Sequence, residues 1–472
     1  MPGRGRALMV MSLSLLNVFT VTAALAVAKL TPDRHLSPQP PSVAVRDLVP
    51  VPASLAIPAA DPASGPLPDA STLAGRLSGL IGGPHAKINA VVIDAATRRP
   101  LFQRRADQPA TPASTTKLVT GVAALASVGP AHRITTQVVQ GAGGRIVLVG
   151  GGDPTLTALP ARPGAGHPRW ASLLALAQQT ATALKASGVK QVHVDYDASA
   201  YRGSRTAPGW KPNYVPDGEV APVSALTVDE GRVSPGDSSK RTRVSDPPVA
   251  AVKQFAQLLS KNGVDANPGR STTAQEGAAR LGAVQSPQMS VLVEHLMTES
   301  DNDVAEAVAR QVALKQGRPA TFEDAALAVE EVVAKLGVTE GVSVNDGSGL
   351  SILNRITPLA LARITSLAAG DDHPELRSAV TGLPVAGFSG TLSPPRFGLP
   401  SSQAGAGAVR AKTGTLAGVS TLAGLAHDAD GRLLAFAFMA GDGKGPVDPG
   451  KLDRLAAAVA ACGCGGAPSA GG

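Results

Sequence analysis

Aromatic residues are scarce in this chain of 472 residues: Phe, Trp and Tyr together make up 3%. Lys and Arg total 43 against 36 Asp and Glu, a net charge of +7, but no dense basic stripe concentrates that excess. Few rings to stack bases and no electrostatic footprint exclude a nucleic-acid partner. Cysteine is nearly absent. The two present, Cys462 and Cys464, lie in the terminal ACGCGG with no further soft ligands nearby, so a metal site has nothing to build on. A disulfide closing so short a ring is strained, and the pair reads as a local tail feature without chemistry. Phosphate-cradling loops and the Gly-x-Ser-x-Gly elbow are missing, and the eight histidines fall in no recognisable motif. No cofactor is expected. His295, alone on an apolar helical stretch, reads as structural.

The ends of the chain differ from its middle. Arg4 and Arg6 precede an apolar run from Ala7 to Ala28, and Ala26-Val27-Ala28 fits a small-x-small cleavage pattern. The run is also long enough to stay as an uncleaved anchor. Either way, residues 1–30 predict export to the extracytoplasmic cell envelope, with membrane contact only through that segment. Ten prolines among small residues between Thr31 and Ala70 describe a tether, so 31–72 is a linker. Residues 465–472 are a Gly/Ala tail.

Between them, apolar periodicity marks a mixed α and β chain. AVVIDAATRRPLFQRRAD (90–107) reads as strand, turn, strand, and RITTQVVQ and GRIVLVGG as a further strand pair. ASLLALAQQTATALKASG and PPVAAVKQFAQLLSKNG are amphipathic helices around the strand KQVHVDYDA. SVLVEHLM and DVAEAVARQVAL are helices interrupted by TESDN. AVRAKTGTL, VSTLAGLAHD and RLLAFAFMAG are three strands, and Asp448-Pro449 starts a last helix. The expected division is a main domain of 73–152 and 288–464, with 153–287 inserted into it.

Three short motifs carry chemistry. In PASTTK, Ser114 and Lys117 stand one helical turn apart, ahead of the apolar LVTGVAALA. A serine hydroxyl needs a base, and a lysine is a base only when neutral; burial and the positive helix N-terminus both favour the neutral amine. Alone the pattern is weak, since Ser-x-x-Lys recurs at Ser187 to Lys190. Ser300-Asp301-Asn302 lies between two helices, where helix capping is the competing explanation, and Ser-x-Asn recurs at Ser343 to Asn345. Lys412-Thr413-Gly414-Thr415 occurs once. A cation flanked by hydroxyls suits a carboxylate, and Gly414 admits close approach to the backbone; a solvated edge strand is the plainer alternative.

In this order and these settings, the three motifs resemble those of penicillin-binding proteins and serine β-lactamases. The 186 positions separating Ser114 from Ser300 leave room for an inserted domain. With GGGDPTL (150–156), NDGSGLS (345–351), NRITP (354–358) and APVSALTVDEGR (221–232), the region from Leu73 to Cys464 resembles the peptidase S13 family. These are D-alanyl-D-alanine carboxypeptidases of the DacB type, low-molecular-mass class C penicillin-binding proteins. The resemblance implies an α+β fold: an antiparallel sheet of about five strands flanked by helices, a helical subdomain carrying Ser300, and a large inserted domain. It implies action on peptidoglycan stem peptides and inhibition by β-lactam antibiotics. It also implies roles: Ser114 as nucleophile, Lys117 as general base and Ser300 as proton relay. Asn302 would hold the peptide amide, and Lys412, Thr413, Gly414 and Thr415 would line the carboxylate site. The backbone N–H groups of Ser114 and Thr415 would form the oxyanion hole. One departure is Ser389 in GFSGTL, where relatives tend to carry an acidic residue. A serine β-lactamase, or a non-catalytic wall-binding protein of the same fold, are the competing functions.

Overall fold

The computed structural model describes residues 65–463 apart from 83–86, 161–168, 238 and 444. The expected export segment 1–30, most of the linker and Cys464 lie outside the described residues.

The first helix, α1 (Ala70–Ile81), begins inside the expected linker, because Asp69 caps it by accepting from the Thr72 amide. Leu73, Leu77 and Ile81 recur at helical spacing and are fully buried. Strands β1 (Ile88–Asp94) and β2 (Pro100–Arg104) form the predicted hairpin. Helix α2 (Thr116–Ser127) follows, its residues from Thr116 to Leu125 all buried. It is the central helix of the larger core and packs against helices from beyond residue 288.

A second sheet then forms. Its strands are β3 (Thr135–Gln140), β4 (Ile146–Val149), β5 (Gln191–Asp197), β6 (Asp265–Ser271) and β7 (Arg280–Gln285), in the order β6-β5-β4-β3-β7. Helices α3 (Leu173–Ala186) and α4 (Pro247–Lys261) cross between the parallel pairs β4–β5 and β5–β6. The expected boundary at 152/153 therefore cuts through this sheet: β3 and β4 belong with the inserted strands. β-Branched and apolar residues, TTQVVQ and IVLV, mark β3 and β4 as strands but carry no information about which sheet they join. Strand β6, DANPGRS, contains a proline and a glycine and lacks a strand pattern; Pro268 is tolerated because β6 is an edge.

Helices α5 (Met289–Thr298), α6 (Asn302–Lys315) and α7 (Phe322–Lys335) return to α2. A two-residue pair, β8 (Val342–Ser343) and β9 (Arg355–Ile356), brackets a turn over 345–351. Helix α8 (Pro358–Ala369), capped by Thr357, lies on β1, β11 and β12. The last strands, β10 (Val409–Leu416), β11 (Val419–His427) and β12 (Leu433–Gly441), pair antiparallel and join the first hairpin in the order β10-β11-β12-β1-β2. This is the expected five-stranded antiparallel sheet, with its first and last segments side by side. Strand β11 is buried along both faces, as a strand between two helical layers must be. Helix α9 (Pro449–Ala460) covers one face together with α1, and Cys462 is buried in that layer. The other face meets α2 and α8.

Candidate active site

Ser114 sits on a 3₁₀ turn, Ala113–Thr115, that runs directly into α2. The turn is fixed from several sides. Thr115 Oγ1 and Thr421 Oγ1 of β11 both donate to the Pro112 carbonyl, at 2.6 and 2.7 Å. Ala113 has φ of 48°, a left-handed conformation that a side chain makes costly. Its carbonyl accepts from Thr116 Oγ1 at 2.8 Å and lies so close to Gly349 that a Cβ there would come within 1.9 Å of it. The backbone beside Ser114 is thus held in an uncommon geometry by its neighbours.

Lys117 is fully buried, and its Nζ has three neighbours. It lies 2.7 Å from Asn302 Oδ1, 2.7 Å from the Ser348 carbonyl and 3.1 Å from Ser114 Oγ. Burial depresses its pKa to about 8, against the opposing pull of Asp346, Asp301, Glu306 and Asp303. A neutral amine has two N–H bonds and one lone pair. The two shorter contacts are to oxygens that only accept, and the third, longer one is to a hydroxyl able to donate. The geometry therefore suits a neutral lysine with its lone pair on Ser114.

The SDN segment arrives from the turn between α5 and α6. Its capping role and its placement in the cleft coexist. Asp301 is the N-cap of α6, accepting from the Val304 amide at 2.9 Å. This frees Ser300 and Asn302 for other contacts. Ser300 has φ of 60°, left-handed like Ala113 although not a glycine. Asn302 is bound at both ends: Oδ1 accepts from Lys117, and Nδ2 donates to the Glu219 carbonyl at 2.8 Å.

Lys412 is the third contributor. It lies on β10, an edge strand as the plainer reading had it, yet it is fully buried. Its Nζ donates to Ser300 Oγ at 2.8 Å and to the Thr413 carbonyl at 3.0 Å. Burial, then the charge of Lys117, hold its pKa well below the ordinary lysine range. Two amines in one dry site resist being charged together. Thr413 donates to Thr391 Oγ1 at 2.8 Å, tying β10 to the GFSGTL loop, where Ser389 accepts from the Val385 amide. Gly414 lies against the turn that carries Ser114. A Cβ there would come within 2.2 Å of Thr421 Oγ1 and 2.9 Å of Ser114 N. Thr415 is exposed at the cleft.

Ser114, Ser300, Asn302, Thr413 and Thr415 line a cleft of about 560 Å³. The structure therefore gathers the sequence-predicted residues at one place from 186 and 112 positions apart. The duplicates stand elsewhere: Ser187 ends α3, and Ser343 is in β8. The far part of the cleft is charged. It carries Glu219, Glu230, Arg232, Arg241, Arg243 and Asp303, with Arg243 pairing Asp303 at 3.0 Å. His295 is more than a core residue, since it lines this cleft 3.4 Å from Asp301. Burial lowers its pKa, but the hydrogen bond and charge of Asp301 outweigh this and raise it. Trp170 packs edge-on against its ring at 5.0 Å. Glu306, Asp346 and Ser348 were not among the expected site residues. The signal for Glu306 is a carboxylate amid the alanines and valines of α6; for Ser348 it is the glycine-flanked turn NDGSGLS.

The profile of the D-Ala-D-Ala carboxypeptidase 3 (S13) family matches residues 76–241 and 236–460. The carboxypeptidase DacB of Mycolicibacterium smegmatis is 36% identical over 459 residues, 96% of each chain. The D-alanyl-D-alanine carboxypeptidase of an Actinomadura species is 29% identical over 455 residues, covering 78% of this chain and 80% of its own. Among solved structures, penicillin binding protein 4 (dacB) of Haemophilus influenzae superposes with a TM-score of 0.63 at 20% identity, covering 83% of this chain and 98% of the other.

Proposed function

Because the chain belongs to the D-Ala-D-Ala carboxypeptidase 3 (S13) family and is a serine-type carboxypeptidase of that family, we propose that Ser114 is its acyl-accepting nucleophile and peptidoglycan stem peptides its substrate. The observation that carries this reading is the fully buried Lys117 amine, 3.1 Å from Ser114 Oγ and bonded to two acceptors on its other sides.

In the proposed cycle, Lys117 Nζ takes the Ser114 proton as Oγ bonds to the carbonyl carbon of the penultimate D-alanine. Negative charge develops on the carbonyl oxygen, where the Ser114 and Thr415 backbone N–H groups receive it. The C–N bond to the terminal D-alanine then breaks. Ser300, in contact with Lys412, gives its proton to the departing amine and regains one from the proton Lys117 took from Ser114, so that Lys117 is neutral again as D-alanine leaves. Water hydrolyses the ester and restores Ser114. Lys412 has no carboxylate among its hydrogen-bond partners in the described residues. The substrate's terminal carboxylate favours the charged form of Lys412 as it binds, with the Thr415 hydroxyl as a further donor and the Thr413 hydroxyl able to turn to it from Thr391 Oγ1. Asn302 is held by Lys117 and Glu219, and its remaining amide hydrogen and lone pair meet the peptide.

Penicillin acylates the same serine in this reading. The H. influenzae protein has also been solved in complex with a β-lactam. Cleavage of crosslinks as an endopeptidase is a further proposed activity, because the cleft continues past Asn302 into its charged arm. Export through residues 1–30, and a proline-rich tether after them, would place the enzyme where stem peptides are. The test is a fluorescent penicillin with a defined muropeptide. Stable labelling and D-alanine release, both abolished in Ser114→Ala, are expected. Rapid turnover of the label points to a β-lactamase, and absence of labelling to a non-catalytic binder. D-alanine release retained by Ser114→Ala would falsify the assignment of nucleophile.

A further inference from the structure

One face of α6 carries Asn302, Glu306 and Arg310 at successive four-residue steps. Asn302 touches the Lys117 amine directly. Glu306 and Arg310 lie deeper, 0% and 2% exposed, where a charge needs a reason. Arg310 Nη1 donates to Glu306 Oε2 at 2.9 Å and its guanidinium lies 3.7 Å above the Phe322 ring. The remaining capacity of Glu306 goes to one short stretch of backbone. Its carboxylate accepts from the Gly347 amide at 3.1 Å and the Ser348 amide at 2.8 Å. The carbonyls of the same two residues point the other way, into α2. The Gly347 carbonyl accepts from Thr120 Oγ1 at 2.8 Å and the Ser348 carbonyl from Lys117 Nζ at 2.7 Å. Asp346 closes the turn, accepting from the amides of Gly349 and Ser351, from Asn354 Nδ2 and from Trp210 Nε1.

We propose that Glu306 is a positioning residue for the acyl-transfer reaction: by gripping the Gly347 and Ser348 amides it aims the Ser348 carbonyl at Lys117 Nζ, and so turns the amine's lone pair onto the Ser114 hydroxyl. The inference rests on Lys117 being the base. With Cε anchored, the bond to Asn302 sets the rotation about Cε–Nζ but leaves open which of the two remaining positions carries the second hydrogen and which the lone pair. The Ser348 carbonyl, which only accepts, takes the hydrogen, and the lone pair falls to the Ser114 side. A carboxylate serves here because two backbone N–H groups and a guanidinium all need an acceptor at one buried point. Charge is the second consequence. Lys117 faces Asp301, Asp303 and Glu306 from the α6 side, Asp346 from the turn and Lys412 from β10, so removing the negative charge of Glu306 favours the neutral amine.

The experiment measures the second-order rate of acylation by a fluorescent penicillin from pH 6 to 10 on the full chain, with thermal melts alongside. Glu306→Gln keeps the size, loses one acceptor and loses the charge. Its plateau rate is expected to fall tenfold or more, and its acidic limb to move to lower pH by about one unit. Glu306→Asp keeps the ion pair with Arg310, and with it the fold, but draws the carboxylate back from the amides. Its plateau falls similarly while the limb stays near the wild-type position. Plateau rates within twofold of wild type in either variant overturn the inference, as does a lowered Glu306→Gln plateau with an unmoved limb, which is what general damage to the fold produces. Labelling that survives in Lys117→Ala refutes the assignment of the base itself. Labelling lost there, together with wild-type behaviour of both Glu306 variants, overturns only the role of Glu306.

Discussion

The proposed acylation depends on an uncharged lysine, and the structure sets how much of it is present. An ordinary lysine with a pKa of 10.5 is neutral in roughly one molecule in 3,000 at pH 7. Burial brings Lys117 to about 8, which makes the neutral fraction at pH 7 roughly one in eleven, a gain of about 300-fold. The perturbation is pH itself. With only the neutral amine able to take the Ser114 proton, acylation should rise about tenfold per pH unit below the pKa and level off above it. Between pH 6 and pH 8 the neutral fraction grows from about 1% to about half, so the penicillin acylation rate should increase roughly 50-fold. The sign follows from the reactive species: deprotonation activates, so activity is lost as pH falls. Stopped-flow labelling over that range, with melts showing that the fold is intact at each pH, measures it directly. A rate that changes less than threefold between pH 6 and 8, or that falls, refutes the reading of Lys117 as a burial-tuned base.

Two further outcomes follow from the same contacts. Asn302→Ala removes the acceptor at 2.7 Å from Lys117 Nζ and the tie to the Glu219 carbonyl; acylation should fall about 100-fold, with a stability loss of about 1–3 kcal/mol, read by labelling kinetics and denaturant titration. Gly414→Ala forces a methyl to 2.2 Å from Thr421 Oγ1 and 2.9 Å from Ser114 N. It should destabilise by about 1–3 kcal/mol and slow acylation more than tenfold, and a fully active, equally stable variant contradicts the close approach of β10 to the nucleophile turn.

The strands that frame the site are legible because their environment is extreme. Strand β11, VSTLAGLAH, is buried almost throughout, and its β-branched and small residues show it without help from context. The last helix is marked by Asp448 and Pro449 at its start. Helices α7 and α8 are not among the expectations, although Thr321 before an acidic first turn and Thr357 before Pro358 mark their starts. Strand β6 is different in kind. Nothing in DANPGRS favours a strand, and only the neighbouring β5 makes it one. For β3 and β4 the strands are legible, and only their sheet was decided by the tertiary structure.

The amino-acid order alone determined the chemistry: a serine and a lysine one helical turn apart, a serine and an asparagine around a capping aspartate, and a lysine beside a glycine narrow enough for close backbone approach. Local spacing encodes these, because neighbours in sequence share a turn or a strand face. What only tertiary structure decided is which copy of each motif is used and what the lysine becomes. The proposed base, Lys117, owes its setting to burial, to a carbonyl 231 positions away and to an asparagine 185 away. A pKa depends on the medium and charges within a few ångströms in space, and distance along the chain does not report them.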